Sequence, residues 1–193
     1  MRKLKLQMQI TLDGFVAGPN GENDWVFIPG KQDPNVLQKI IGFAVELATG
    51  CDTLLLGRKM VAEFCKHWEN VADNQPDNPW HPLAQLIVNH RKIAFSRTET
   101  TNIPGRNVEV ENGDLATVVQ SLKNQPGKDI LVYGGVDFVS SLISLNLIDE
   151  YYLITNPVAI GSGLSIFKER KVLQLESSIG FKNGKVINKF LPV

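Results

Sequence analysis

The stretch DILVYGGVDFVSSLI, residues 129–143, decides the fold. Asp129 to Tyr133 is a short apolar run with strand character, and the residues after it carry Phe138, Val139, Leu142 and Ile143 at helical spacing. Between them stand only Gly134 and Gly135, so the strand turns directly into the helix. The same succession occurs earlier, where Asp52-Thr53-Leu54-Leu55-Leu56 reads as a buried strand, Gly57 breaks it, and residues 58–67 read as a helix. Strands that pass straight into helices build an α/β layered domain whose sheet is largely parallel. In such sheets ligands bind at the carboxyl ends of the strands.

Working outward, residues 3–12 alternate, with Leu4, Leu6, Met8, Ile10 and Leu12 on one face and Lys3, Lys5, Gln7, Gln9 and Thr11 on the other. Residues 13–32, with Gly14, Gly18, Pro19, Gly21, Pro29 and Gly30, read as a long loop. Asp33-Pro34 supplies an N-cap and a first-turn proline for a helix that Gly50 stops. The polar stretch 68–80, with Pro76 and Pro79, reads as another surface loop, and strands are expected at 91–96 and 107–111. Asn112-Gly113-Asp114 caps a helix carrying Leu115, Val118, Val119 and Leu122. Tyr151–Thr155 resumes strand character, and residues 172–191 read as an antiparallel hairpin turning at Asn183-Gly184.

The chain has 193 residues, long enough to bury a sizeable core as one domain over residues 1–193. Its 20 Lys+Arg balance its 20 Asp+Glu, so no overall field would hold nucleic acid or an anionic membrane, and any anion site must be local. Cys51 and Cys65 form no C-x-x-C pair, and His67, His81 and His90 follow no ligand spacing, so neither disulfide framework nor metal site is expected. No run approaches the ~20 apolar residues of a membrane span. A soluble cytoplasmic protein is the expectation.

Three turns could carry chemistry. Gly57-Arg58-Lys59 places two cations at a helix N-terminus, where the macrodipole disfavours them unless an anion binds; the alternative is that both side chains simply extend into water. Ser96-Arg97-Thr98 follows a strand with two hydroxyls around a guanidinium, suited to phosphate or to a solvated turn. Gly134-Gly135-Val136 lets a backbone approach a pyrophosphate closely, or makes a mere tight turn. G-x-G-x-x-G fails even at Gly161-Ser162-Gly163, where Ile166 replaces the third glycine, and no P-loop motif exists. Three phosphate-competent turns at strand ends jointly point to a nicotinamide dinucleotide.

With these turns the chain resembles the dihydrofolate reductase superfamily, and more closely the reductase domain of riboflavin biosynthesis and its stand-alone relatives. The likeness rests on Leu12-Asp13-Gly14-Phe15-Val16-Ala17, Leu55-Leu56-Gly57-Arg58-Lys59, Phe95-Ser96-Arg97-Thr98, Val132-Tyr133-Gly134-Gly135, and Leu147-Ile148-Asp149-Glu150 leading to Pro157 and Gly161-Ser162-Gly163. It implies a three-layer α/β/α fold around a twisted, mixed, mostly parallel sheet. It also implies NADPH held at Gly57-Arg58-Lys59, Ser96-Arg97-Thr98 and Gly134-Gly135-Val136, with Val16 and Ala17 beside the nicotinamide. Where folate enzymes usually carry a phosphate-binding threonine after the basic residues, this chain has Met60. Folate enzymes also bind pterin through a carboxylate after a Pro-Trp pair, whereas here Asp24-Trp25 precedes Asp33 in a loop of different length, which argues against folate.

Gln7 and Gln9 are then candidates to line a substrate pocket through their amides, with an exposed strand face as the alternative. Trp25 could stack on a heterocycle or close the loop over the core. Asp33 is a candidate proton donor that also has a complete role as an N-cap. Asp149-Glu150 falls at a helix-to-strand corner, where the resemblance favours structure over acid/base work. The leading expectation is an NADPH-dependent reductase of a small heterocycle, nearest to reduction of a ribosylaminopyrimidine in riboflavin synthesis, and a homodimer as in such relatives. A nucleotide-binding protein without turnover is the alternative, with a binder of some other phosphorylated ligand behind it.

Overall fold

The computed structural model describes residues 1–26, 33–97 and 103–193. Its elements are β1 (Leu4–Ile10), a 3-10 turn (Asp24–Val26), α1 (Pro34–Thr49), β2 (Cys51–Gly57), α2 (Arg58–Asn74), α3 (His81–Asn89) and β3 (Arg91–Phe95). Then come β4 (Val108–Glu111), α4 (Leu115–Asn124), β5 (Asp129–Gly134), α5 (Val136–Ser144), β6 (Glu150–Thr155), β7 (Leu173–Gly180) and β8 (Val186–Pro192). The sheet runs β4-β3-β2-β5-β1-β6-β8-β7. The first six in that order are parallel; β8 joins β6 antiparallel and β7 closes the hairpin. The α/β class, the mostly parallel sheet and the terminal hairpin are as the sequence predicts.

Alternation along β1 sorts the layers. Leu4, Leu6 and Met8 join Val132 and Tyr151 under α4 and α5. On the other face Leu54 and Leu131 pack with Ala44 and Leu47 of α1 and Leu83 and Ile87 of α3, while Leu56 and Ala94 meet Val61 and Cys65 of α2. Fully burying each such leucine is worth roughly 1.5–3 kcal/mol, so both faces contribute to the core. Cys51 and Cys65 are buried free thiols, and burial pushes the Cys51 thiol up to about 12. No helix among the described residues is long and apolar enough to cross a membrane.

The expected loop at 68–80 is corrected at its start. α2 continues to Asn74 because Trp68, Val71 and Ala72 meet Ala84 and Val88 of α3, a helix that the sequence reading does not predict. Pro76 follows the C-cap Gln75, so the helix stops where a proline would stop it. The first strand ends at Ile10, two residues short of Leu12, since Thr11 turns to bond Phe15. Of the expected long loop, residues 27–32 lie outside the described residues.

The amino ends of the strands are held by ion pairs. Arg2 pairs with Asp52, Lys3 Nζ lies 2.6 Å from Glu150, Lys5 Nζ 2.8 Å from Asp129, and Lys123 Nζ 2.6 Å from Asp149. Asp149 also accepts a bond from Leu4 N at 2.6 Å, and Glu150 one from the Tyr152 hydroxyl at 2.7 Å. The Asp149-Glu150 corner is therefore structural.

Candidate functional site

At the carboxyl ends of β2, β3 and β5 the three sequence-predicted turns come together. Gly57 is the register partner of Phe95, and Leu56 that of Gly134, which sets Gly57, Ser96 and Gly134-Gly135 side by side. Gly57 and Gly135 touch backbone to backbone, since a Cβ at Gly135 would stand 3.0 Å from Gly57 Cα. Gly135, at φ +89°, holds a conformation that a side chain would strain. Phe138 clamps the junction: it lies against Gly57 and stacks on Phe95 with centroids 5.1 Å apart.

Two helices begin at this junction, α2 from Gly57 and α5 from Gly135, and neither N-terminus has a side-chain cap. Elsewhere α1 is capped by Asp33 and α4 by Asp114. Glycine leaves first-turn amides for an outside acceptor, and two adjoining N-termini add their dipoles toward one anion. Arg58, Lys59 and Arg97 stand exposed at this edge, and Ser96 is buried there. Val136 opens α5. Thr98 lies outside the described residues. Met60 takes up the position beside Gly134, where a Cβ would meet its sulfur at 3.4 Å.

Val16 and Ala17 are buried and tied to the far side of the site. Val16 N donates to Leu164 O and Leu164 N to Ala17 O, each at 2.8 Å. Gly163 has no room for a Cβ, which would stand 2.3 Å from Ala17 O. Asp13 locks the same segments: it accepts from the Thr11 hydroxyl at 2.5 Å and from the amides of Ile160 and Gly161 at 3.0 and 2.7 Å. These bonds, the Thr11 hydroxyl first, hold its carboxyl below the usual range.

On the α1 face, Gln7 pairs in register with Tyr152 and Gln9 with Ile154. Gln9 Oε1 accepts from Asn156 Nδ2 at 2.9 Å, whereas Gln7 Oε1 is buried with no hydrogen-bond partner among the described residues. The Trp25 indole N–H, the Tyr133 hydroxyl and Asn156 Oδ1 are likewise buried and unmatched. Buried polar atoms ordinarily find partners, so the face shared by Gln7, Tyr133 and Asn156 is one where a ligand's polar edge would be matched. Asp33 is exposed, and its carboxylate accepts from Asn35 N at 2.9 Å as the cap of α1. The sequence reading has Tyr133 only as the end of a strand before the glycine pair, and Asn156 not at all. The one available signal is that Tyr133, the last side chain before the glycine pair, falls on the strand face of Gln7.

The sequence profile of the RibD C-terminal domain matches residues 2–187. The chain belongs to the RibD C-terminal domain family. A family-length relative, the uncharacterized protein YyaP of Bacillus subtilis, is 33% identical over 188 residues, covering 96% of this chain and 92% of the relative. Among solved structures, a diaminohydroxyphosphoribosylaminopyrimidine deaminase/5-amino-6-(5-phosphoribosylamino)uracil reductase of Thermotoga maritima superposes with a TM-score of 0.66 at 16% identity, over 100% of this chain and 57% of that one. A dihydrofolate reductase of Enterococcus faecalis complexed with NADP(H) and RAB-propyl superposes with a TM-score of 0.60 at 13% identity, over 98% and 96%. The RibD C-terminal domain thus has here the fold that these reductases share.

Proposed function

We propose that this RibD C-terminal domain is an NADPH-dependent reductase of a small heterocyclic substrate, similar in reaction to the uracil reductase or the dihydrofolate reductase it superposes on. The observation that carries the reading is the junction of two uncapped, glycine-led helix N-termini at Gly57 and Gly135, flanked by Arg58, Lys59, Ser96 and Arg97. That junction fits a dinucleotide: the amides and the backbone approach suit a pyrophosphate, and the exposed guanidinium and ammonium groups suit an extra ribose phosphate. Bound there, NADPH would supply the hydride.

The protein's own contribution is placement. Val16 and Ala17, pinned through Asp13 and Leu164, would face the nicotinamide, while Gln7, Gln9 and Trp25 would orient a polar ring against it. Asp33, spent on its helix and exposed, leaves water the simpler source of the proton.

Titration with NADPH and NADH, followed by fluorescence, tests this. NADPH should bind more tightly, and Arg58→Ala and Arg97→Ala should each weaken NADPH by about tenfold while changing NADH less, as loss of one charge-assisted phosphate contact requires. Binding of neither nucleotide would overturn the proposal. The thioether of Met60 beside Gly134, in place of a hydroxyl, favours one second reading, a nucleotide binder without turnover. It predicts NADPH binding with no oxidation across a panel of cyclic imines and aminopyrimidines.

A further inference from the structure

Three lysines are nine-tenths buried or more, and they spend their charge differently. Lys92 Nζ donates to three carbonyls, of Val88, His90 and Arg106, at 2.9–3.0 Å. Lys123 Nζ has the Leu147 carbonyl and the Asp149 carboxylate, both at 2.6 Å. Among the described residues, Lys185 Nζ reaches only the carbonyl of Val26, at 2.9 Å, and no carboxylate pairs with it. An ammonium has three protons to place, and burying it against one neutral acceptor is costly. Burial accordingly lowers its proton affinity.

The sheet fixes where this cation stands. Val186 pairs with Thr155 and Ile187 with Ile154, so Lys185 falls beside Asn156, on the face that carries Ile154 and its neighbour Gln9. Asn156 is 1% exposed, and its Nδ2 lies within 3.3 Å of three acceptors: Gln9 Oε1, Ile10 O and Ile154 O. Its amide can therefore have only one orientation, which leaves Oδ1 as the unmatched buried atom. The bond to Val26 O ties the ammonium to the residue that follows Trp25, whose own N–H is buried with no hydrogen-bond partner among the described residues. An ammonium with protons left to donate and one unmatched acceptor thus stand together at the outer end of the Gln7-Gln9 face.

We propose that Lys185 is a specificity-determining residue of the proposed substrate face, selecting ligands that carry an oxyanion, carboxylate or phosphate, at the end beside Asn156. The inference rests on the proposed substrate face, though not on NADPH. A purely structural tie to the Trp25-Val26 turn would need only a neutral donor; the charge is what an oxyanion would use.

Calorimetric titration of the full chain with benzoate, phenyl phosphate and benzamide tests it, with and without NADPH. At least one of the two oxyanions should bind about tenfold more tightly than benzamide, and which one does so identifies the group preferred. Lys185→Gln, which keeps a donor for Val26, and Lys185→Met should both abolish that preference, and Lys185→Arg should restore most of it. Equal binding of the three probes to the wild type, or a preference that survives in Lys185→Gln, would overturn the proposal. Should Lys185→Met lose its cooperative thermal transition, the Gln and Arg variants decide. If NADPH fails to bind, the reductase reading falls while the titrations without it still judge Lys185.

Discussion

Gly135 shows how much one missing side chain can decide. At φ +89° it lies outside the range that L side chains adopt readily, and a Cβ there would press on Gly57 Cα and N at 3.0 and 3.3 Å. Gly135→Ala should cost about 1–3 kcal/mol, as strained backbone positions do, measured by urea denaturation. It should also weaken NADPH, because separating Gly57 from Gly135 parts the two helix N-termini; unchanged affinity would mean that the junction does not hold the cofactor. Residues of this kind were legible, since Gly134-Gly135 and the Asp33 cap each act within a few positions of themselves. Lys185 and Asn156 were not. The bond from Asn156 to Gln9 spans 147 positions, and sheet pairing alone creates it.

At the scale of elements, the two ends of the sheet do different work. Glu150 opens β6 with its carboxylate buried; burial opposes its ionisation, but the bonds from Lys3 and Tyr152 and the charge of Lys189 outweigh that and hold its pKa below the usual value. A carboxylate depressed in the folded state adds stability above its unfolded pKa and loses it as pH falls through the folded one. Thermal scans from pH 7 to pH 3 should therefore show a decline that Glu150→Gln blunts. At pH 7 that variant should be about 1–2 kcal/mol less stable, modest because Lys3 is largely in solvent. A variant as pH-sensitive as the wild type would assign the acid limb to other carboxylates. The element misread from sequence teaches the same dependence on partners: prolines, asparagines and aspartates made residues 68–80 look like a loop, yet Asn70, Asp73 and Asn74 are the exposed side of α2, while α3 covers Trp68, Val71 and Ala72.

For the whole molecule, alternating strand and helix signals foretold the layers and the parallel sheet, because each βα unit carries its own periodicity. Strand order was not foretold: β1 lies between β5 and β6, and nothing local in residues 4–10 names those neighbours. We propose, as the sequence resemblance implies, that the chain forms a homodimer. Sedimentation equilibrium should give twice 21.4 kDa, and a single-chain mass at micromolar concentration would refute it.

That strand order sets a timetable. Leu4 to Leu6 align with Ile130 to Val132, and Lys5 to Ile10 with Glu150 to Thr155, so β1 leaves the ribosome long before either of its partners. At about 5–20 residues per second, β1 waits on the order of ten seconds for its partners, its apolar and polar edges both unmet. The face proposed for substrate depends on that late insertion, for Gln7 and Gln9 enter the sheet with it. A newborn chain can assemble β2, β3 and β4 early; the sheet becomes continuous only when β1 enters between β5 and β6.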